Sequence, residues 1–219
     1  MVTIYIPTVV KDLAVYNGNL LTHRSQFPTI KDHLMALSER MWEGVQNGIQ
    51  CVKTEFNNYH PDYLGMPFDP DTWNKLSMKD CQQALASEYG YNDWEEVEMN
   101  GSVEYDENVH QAIDCLLNGD VKGLELIIAD DPDVINRPTQ YGHQARLIHY
   151  CGSNGVEMWR QRVPMNLPEM VQVIIQAGAD INSTMKVYGG SYLVYELAAT
   201  SAHPAEAGIK EILLRSFMQ

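Results

Sequence analysis

Residues 169–182 read Glu-Met-Val-Gln-Val-Ile-Ile-Gln-Ala-Gly-Ala-Asp-Ile-Asn, and no other stretch narrows the fold as sharply. Met170, Val171, Val173, Ile174, Ile175 and Ala177 crowd a short helix. Gly178 stops it, because a helix C-terminus favours the left-handed conformation that glycine adopts without steric cost. Ala179-Asp180-Ile181-Asn182 then makes a tight turn with a polar edge. An earlier segment has the same plan: Leu124, Leu126, Ile127 and Ile128 form a helix, and Asp131-Pro132-Asp133-Val134-Ile135-Asn136 is its exit turn. The two turn asparagines lie 46 positions apart. Recurrence at such a distance is the signature of stacked repeats.

Each of these helices has a partner before it. Glu107 to Asn118 places Val109, Ala112, Ile113, Leu116 and Leu117 inward, Gly119 ends the helix, and Asp120 caps the next. A second unit opens at Tyr141-Gly142, continues through Ala145-Arg146-Leu147-Ile148-His149 and closes at Gly152-Ser153-Asn154-Gly155. A third opens at Tyr188-Gly189-Gly190, runs from Leu193 to Thr200, and ends in Ile209 to Phe217.

This pattern resembles the ankyrin repeat, whose second helix and exit turn usually end leucine-leucine-x-x-glycine-alanine-x-x-asparagine. Ala145 to His149 stands where that family has threonine-proline-leucine-histidine, with the threonine and proline missing, so the first helix of the second unit loses its usual start signal. Ankyrin units repeat about every 33 residues, and the surplus of roughly 13 here fits an insertion between Gly155 and Pro168. That insertion is Val-Glu-Met-Trp-Arg-Gln-Arg-Val-Pro-Met-Asn-Leu, residues 156–167; a smaller one, Ser201 to Gly208, sits in the same loop of the third unit. Ala84 to Glu98, with Tyr89-Gly90-Tyr91 and Trp94, is similar to a helical segment that precedes ankyrin repeats in some bacterial proteins. The inserted segments resemble the same bacterial family, so the likeness runs roughly from Leu34 to Leu214. It implies an all-α ankyrin-repeat solenoid of about three units behind an N-terminal helical cap. It implies a protein-interaction scaffold and carries no enzymatic activity with it.

The preceding chain divides into an N-terminal arm (1–28) and a helical cap region (29–102), with the repeats at 103–219. Val2, Ile4 and Ile6 alternate with polar neighbours and suit a short strand or extended arm. Thr29 to Phe56 reads as one long amphipathic helix, started by Thr29 with Asp32 as capping partner. The proline- and glycine-bearing stretch from Tyr59 to Asn74 is a loop whose aromatic residues fold back on the core. Ser77 with Asp80 starts a further helix, and Asn92 or Asp93 caps a short one in which Trp94 is expected to be buried.

Charge limits the partners. Fifteen basic against 29 acidic residues give a net charge of −14, which repels phosphate backbones and anionic membranes. Cys51, Cys81, Cys115 and Cys151 are far apart, the usage of core thiols in a reducing compartment. No stretch reaches the roughly 18 apolar residues of a membrane span. The start lacks a basic and then apolar leader, so a cytoplasmic location is expected.

Recognition has two candidate surfaces. Equivalent loops of stacked units become neighbours, which would place Trp159, Arg160, Arg162, His203 and Glu206 on one edge; aromatic and arginine side chains on a rigid frame are good contact residues. The alternative is that these loops cap each other, with Arg160 or Arg162 paired to Glu206. The second surface comprises the turn tips and inner helices, which carry Tyr141, His143, Tyr188, Tyr192 and Tyr195. The expected partner is a protein, with neither nucleic acid, membrane nor cofactor. A C-terminal helix exposing Leu213, Leu214 or Phe217 would also offer a homodimer contact. A small-molecule or hydrolytic pocket built by the inserted loops from Arg160, His203 and Glu206 is the alternative function. A separate catalytic reading is a cysteine–histidine arrangement of Cys151 and His149, two residues apart, joined by His203 and Glu206. His149, however, holds the place of a histidine that bonds turn backbone in the resembled family. His23, His33, His60 and His110 show no metal-ligand spacing.

Overall fold

The computed structural model describes residues 2–66 and 68–218, and the chain is mostly helical with four short strands among those residues. Strand β1 (Ile4–Tyr5) comes first. It is followed by helices α1 (Thr8–Asn17), α2 (Asn19–Thr22), α3 (Ile30–Gln46), α4 (Gln50–Tyr59), α5 (Pro70–Trp73), α6 (Met78–Glu88) and α7 (Trp94–Asn100). Then come α8 (Glu107–Asn118), α9 (Val121–Asp130), β2 (Val163–Pro164), α10 (Leu167–Gln176), β3 (Thr184–Val187), β4 (Gly190–Leu193), α11 (Val194–Thr200), α12 (His203–Glu206) and α13 (Lys210–Ser216). The chain forms two compact units, one of residues 11–105 with 140–142, the other of residues 1–10, 106–139 and 143–219.

In the first unit, α3 packs on α6 and α4, and α4 on α6. The expected single helix from Thr29 to Phe56 is two helices. Asn47 caps α3, Gly48 turns the chain at φ +67°, and Ile49 is extended before α4 begins. A left-handed residue cannot continue a right-handed helix, so the amphipathic spacing survives across a break that periodicity alone does not register. The start of α3 is as read: Thr29 Oγ1 accepts from Asp32 N. Ser77 and Asp80 form the reciprocal box on α6, and Asp93 caps α7. Trp94 is only half-buried; its indole N–H donates to Glu98 at 3.2 Å. Phe56, His60, Tyr63, Phe68 and Trp73 gather into one aromatic cluster, and Trp73 Nε1 donates to Val45 O at 2.9 Å. Tyr141 is buried between the rings of Tyr89 and Tyr105.

The second unit holds a continuous core in which α8 pairs with α9, the 3-10 helix Leu147–Gly152 packs on α8, α10 and α11, and α10 and α11 both meet α13. Gly119 is left-handed at φ +66° and Asp120 caps α9 through Gly123 N. Leu147–Gly152 is a 3-10 rather than an α-helix. The exit turns are cross-bonded: Asn136 Nδ2 donates to Gly178 O, and Asp180 N donates to Asn136 Oδ1, both at 2.9 Å. His149 ties two further turns, accepting from Arg146 N through Nδ1 (2.9 Å) and donating from Nε2 to Ser183 O (3.1 Å). β1 is the strand read near the N-terminus; it pairs antiparallel with β2 inside the insertion. β3 and β4 form a hairpin. Leu213 and Phe217 are buried in this core and Leu214 packs against it, so the expected exposed apolar face is corrected. Ile212 and Met218 are the large apolar side chains left exposed there. Among the described residues no helix is long and apolar enough to cross a membrane.

Candidate functional site

The β3–β4 hairpin builds one side of an open groove. Met185 and Val187 alternate inward with Thr184 and Lys186 outward, which sets the pleat on the core. The two-residue connection is Tyr188-Gly189, with φ of +52° and +72°. A tight hairpin loop of this length favours positive φ at both central residues, which glycine supplies freely and a tyrosine only at a cost. Tyr188 is nonetheless held there: its hydroxyl donates to Asn154 Oδ1 at 2.8 Å, and Asn154 Nδ2 donates to Thr200 Oγ1 at 3.3 Å. A bulky residue in a sparsely populated conformation, fixed by a side-chain bond, is the kind of strain that collects at binding sites.

Tyr188, Tyr192 and Tyr195 line a groove of about 710 Å³ with Glu196, Leu197 and Thr200. That volume lies within the range of ligand-binding clefts, ~300–1,000 Å³. Tyr188 is 52% exposed and Tyr195 40%, while Tyr192 packs partly against the core. Glu196 starts α11 by accepting from Leu193 N through Oε2 at 2.8 Å. Among the described residues no lysine or arginine lines the groove. Sequence reasoning named all three tyrosines; it missed Asn154 and Glu196. The spacing of Glu196 three residues after Leu193, at a hairpin-to-helix junction, was the available signal for the latter.

The insertion residues serve differently. Arg160 and His143 are completely buried. Arg160 Nη1 donates to Glu157 Oε1 at 3.1 Å and to His110 Nδ1 at 3.0 Å, and Nη2 reaches Asp114 Oδ1 at 3.2 Å. Its guanidinium also lies over the rings of Trp159 (4.6 Å) and Tyr150 (5.6 Å). The Tyr150 hydroxyl donates to Glu157 Oε2 at 3.0 Å, and His143 Nε2 is 3.5 Å from the same oxygen. Burial pushes the Glu157 carboxyl up, but Arg160 and His143 overcome it and hold the group well below the ordinary carboxylate range. Burial lowers the half-buried Arg162, with Asp114 acting against it. Glu157, Tyr150 and Asp114 were not singled out from sequence, and His110 was weighed only as a metal ligand; the visible hint was Glu157 three residues before Arg160, flanked by Val156, Met158 and Trp159.

His203 and Glu206 are a separate pair on α12, 3.6 Å apart, and Glu206 Oε2 accepts from the Tyr5 hydroxyl at 2.6 Å. The alternative pairing of Arg160 with Glu206 is therefore corrected: Arg160 is satisfied by Glu157 and Asp114, Glu206 by Tyr5 and His203. The structure gathers the tyrosines 188, 192 and 195 into one groove, places His143, Trp159 and Arg160 in the buried network, and sets Tyr141 among the aromatics of the other unit.

Nucleophilic chemistry finds little support at His149 and Cys151. Cys151 is buried and its thiol is raised far above the ordinary range by burial, which disfavours the thiolate. Burial lowers His149 to about 4, and both its ring nitrogens are bonded to backbone. Among the described residues no group of three or more His, Cys, Asp or Glu side chains is placed to hold a metal ion. Comparison of the chain with protein-family models, with curated proteins and with solved structures finds no match in any of the three.

Proposed function

We propose that this chain is a protein-interaction module that presents a tyrosine-lined groove on an ankyrin-type stack. The ankyrin reading is supported by successive helix pairs, by exit turns cross-bonded through Asn136, and by His149 tying turn backbone. The single observation that carries the interaction reading is the groove itself. Two tyrosines are substantially exposed, a third is anchored in the core, and the strained Tyr188 is fixed in place by Asn154. Tyrosine gives large contact area with few rotamers to freeze, so a preformed set of three binds with a small entropic cost. The partner is a short extended peptide segment rather than a substrate to be transformed. The insertion acts as scaffold: Glu157 and Arg160 lock residues 157–160 onto α8 through His110 and Asp114.

The test is selection of a displayed random-peptide library on the intact chain, repeated on a Tyr188→Ala, Tyr195→Ala double variant whose circular dichroism and melting match the parent. Enrichment on the parent that disappears on the folded variant supports the module. No enrichment, or equal enrichment on both, overturns it.

A further inference from the structure

We infer that the groove takes an extended, proline-bearing peptide segment carrying a positively charged side chain, an assignment that rests on the interaction reading above. The lining supplies the first half of the chemistry. Tyr188, Tyr192 and Tyr195 line the groove beside Leu197 and Ala199, so the surface is mainly aromatic and aliphatic. The hairpin already uses backbone groups of β3 and β4 in its own ladder, and Lys186 N donates to His143 O at 3.1 Å on the other side of β3. The recognition inferred here is by the side chains of the lining. A polyproline II segment suits such a surface, because its conformation is set before binding and its rings lie flat on aromatic side chains.

Charge supplies the second half. Glu196 is exposed at the groove, and its Oε2 caps Leu193 N. Among the described residues of the lining it is the one charged side chain, in a chain of net charge −14. An arginine or lysine of the bound segment meets this carboxylate and the negative faces of Tyr192 and Tyr195, both of which favour a cation. An acidic segment meets repulsion from the same groups. Tyr188 fixes the far side through Asn154, which in turn is bonded to Thr200, so the rings are held before the ligand arrives.

The probe is a fluorescein-labelled peptide of three Pro-Pro-Arg triplets, titrated with the intact chain and followed by anisotropy. Its two controls replace arginine by glutamate, or both prolines of each triplet by glycine and serine. Saturable binding of the first peptide alone is expected. Tyr195→Ala should weaken it by about tenfold, as loss of one stacked ring predicts. Glu196→Gln keeps an oxygen for Leu193 N while removing the charge, and should weaken binding about threefold to tenfold with a flatter salt dependence. Equal binding of the glycine-serine-arginine control, or an unchanged affinity in Tyr195→Ala, overturns the inference by showing a general attraction of cations to an acidic chain. The two proposals fail differently: library peptides that occupy the groove without proline or basic residues sink this assignment and leave the module intact, whereas absence of any groove-dependent peptide sinks both.

Discussion

Both units of this chain seal a glutamate from water, and the two glutamates have been driven in opposite directions. Glu157 sits against Arg160, Tyr150 and His143 and is held ionised, well below the ordinary carboxylate range. Glu55, on α4 in the unit of residues 11–105, is pushed well above it by burial and by the neighbouring carboxylate of Glu88. Burial raises both groups, so burial does not decide the outcome; the nearest charge does. The stability consequences have opposite signs. Glu157, with its depressed folded value, adds stability that is present above the unfolded value of about 4.5 and is lost as pH falls toward the folded one. Glu55, with its raised folded value, adds stability that is complete below about 4.5 and is lost as pH rises through the folded one.

The largest effect expected from this contrast comes from removing the cation. Arg160→Met leaves Glu157 buried beside no guanidinium, and breaking one side of a buried pair costs about 3–5 kcal/mol. Urea unfolding at neutral pH measures it. The double variant Glu157→Gln, Arg160→Met should recover a large part of that loss, because the uncompensated charge has gone. A single-variant cost of less than about 1 kcal/mol would mean that Glu157 does not depend on Arg160, and the contrast between the units would collapse.

The same substitution at the other glutamate should act in reverse. Glu55→Gln imitates the protonated acid and removes its repulsion with Glu88, so it should stabilise the unit by about 1–2 kcal/mol at pH near 8. Near pH 4.5 the gain should vanish, since the wild-type group is then neutral as well. Fluorescence of Trp42, Trp73 and Trp94 reports this unit when Trp159 is replaced by phenylalanine. A loss of stability at both pH values would place a hydrogen-bond donor, not a second carboxylate, as the dominant neighbour of Glu55. His60, lowered by burial against the pull of Asp80, titrates in the same unit, and the comparison of variant with parent at each pH cancels it.

Much of the helical order was legible in the chain, and for local reasons. The capping partners at Thr29, Ser77, Asp93 and Asp120 act within three residues, and Gly119 and Gly178 end helices by a backbone freedom that any reader can assign. The break at Gly48 was hidden because the apolar spacing continues on both sides of it. The groove was legible as a set of tyrosines but not as a cavity, since its shape depends on a hairpin meeting α11 and the segment around Asn154. The buried network was the least legible. Arginine and glutamate in a loop ordinarily face water, and only tertiary packing brings His110 and Asp114 from α8 and Tyr150 from the 3-10 helix around Arg160.

The smallest effect sharpens the comparison inside the unit that holds Glu157. His149 accepts from Arg146 N at Nδ1 and donates to Ser183 O from Nε2, so its native form is the neutral ring; burial is the main cause that lowers it to about 4. A histidine with a folded value below the unfolded one near 6.5 adds stability above 6.5 that is lost as pH falls through the window down to about 4. This loss begins before Glu157 starts to protonate, so the two groups are separable by pH. His149→Asn keeps an acceptor in the place of Nδ1 and gives up the bond to Ser183, for a cost of about 1 kcal/mol at neutral pH. As pH falls through that window the two curves should draw together, meet and then cross, because only the parent loses stability by protonation of the ring in its unfolded chain. Urea midpoints taken across the window, with Trp159 as the only tryptophan, read the result from this unit alone. A parallel displacement of the two curves, with no convergence in acid, would show that the acid sensitivity of this unit belongs to Glu157 and its neighbours and not to the histidine that ties its turns.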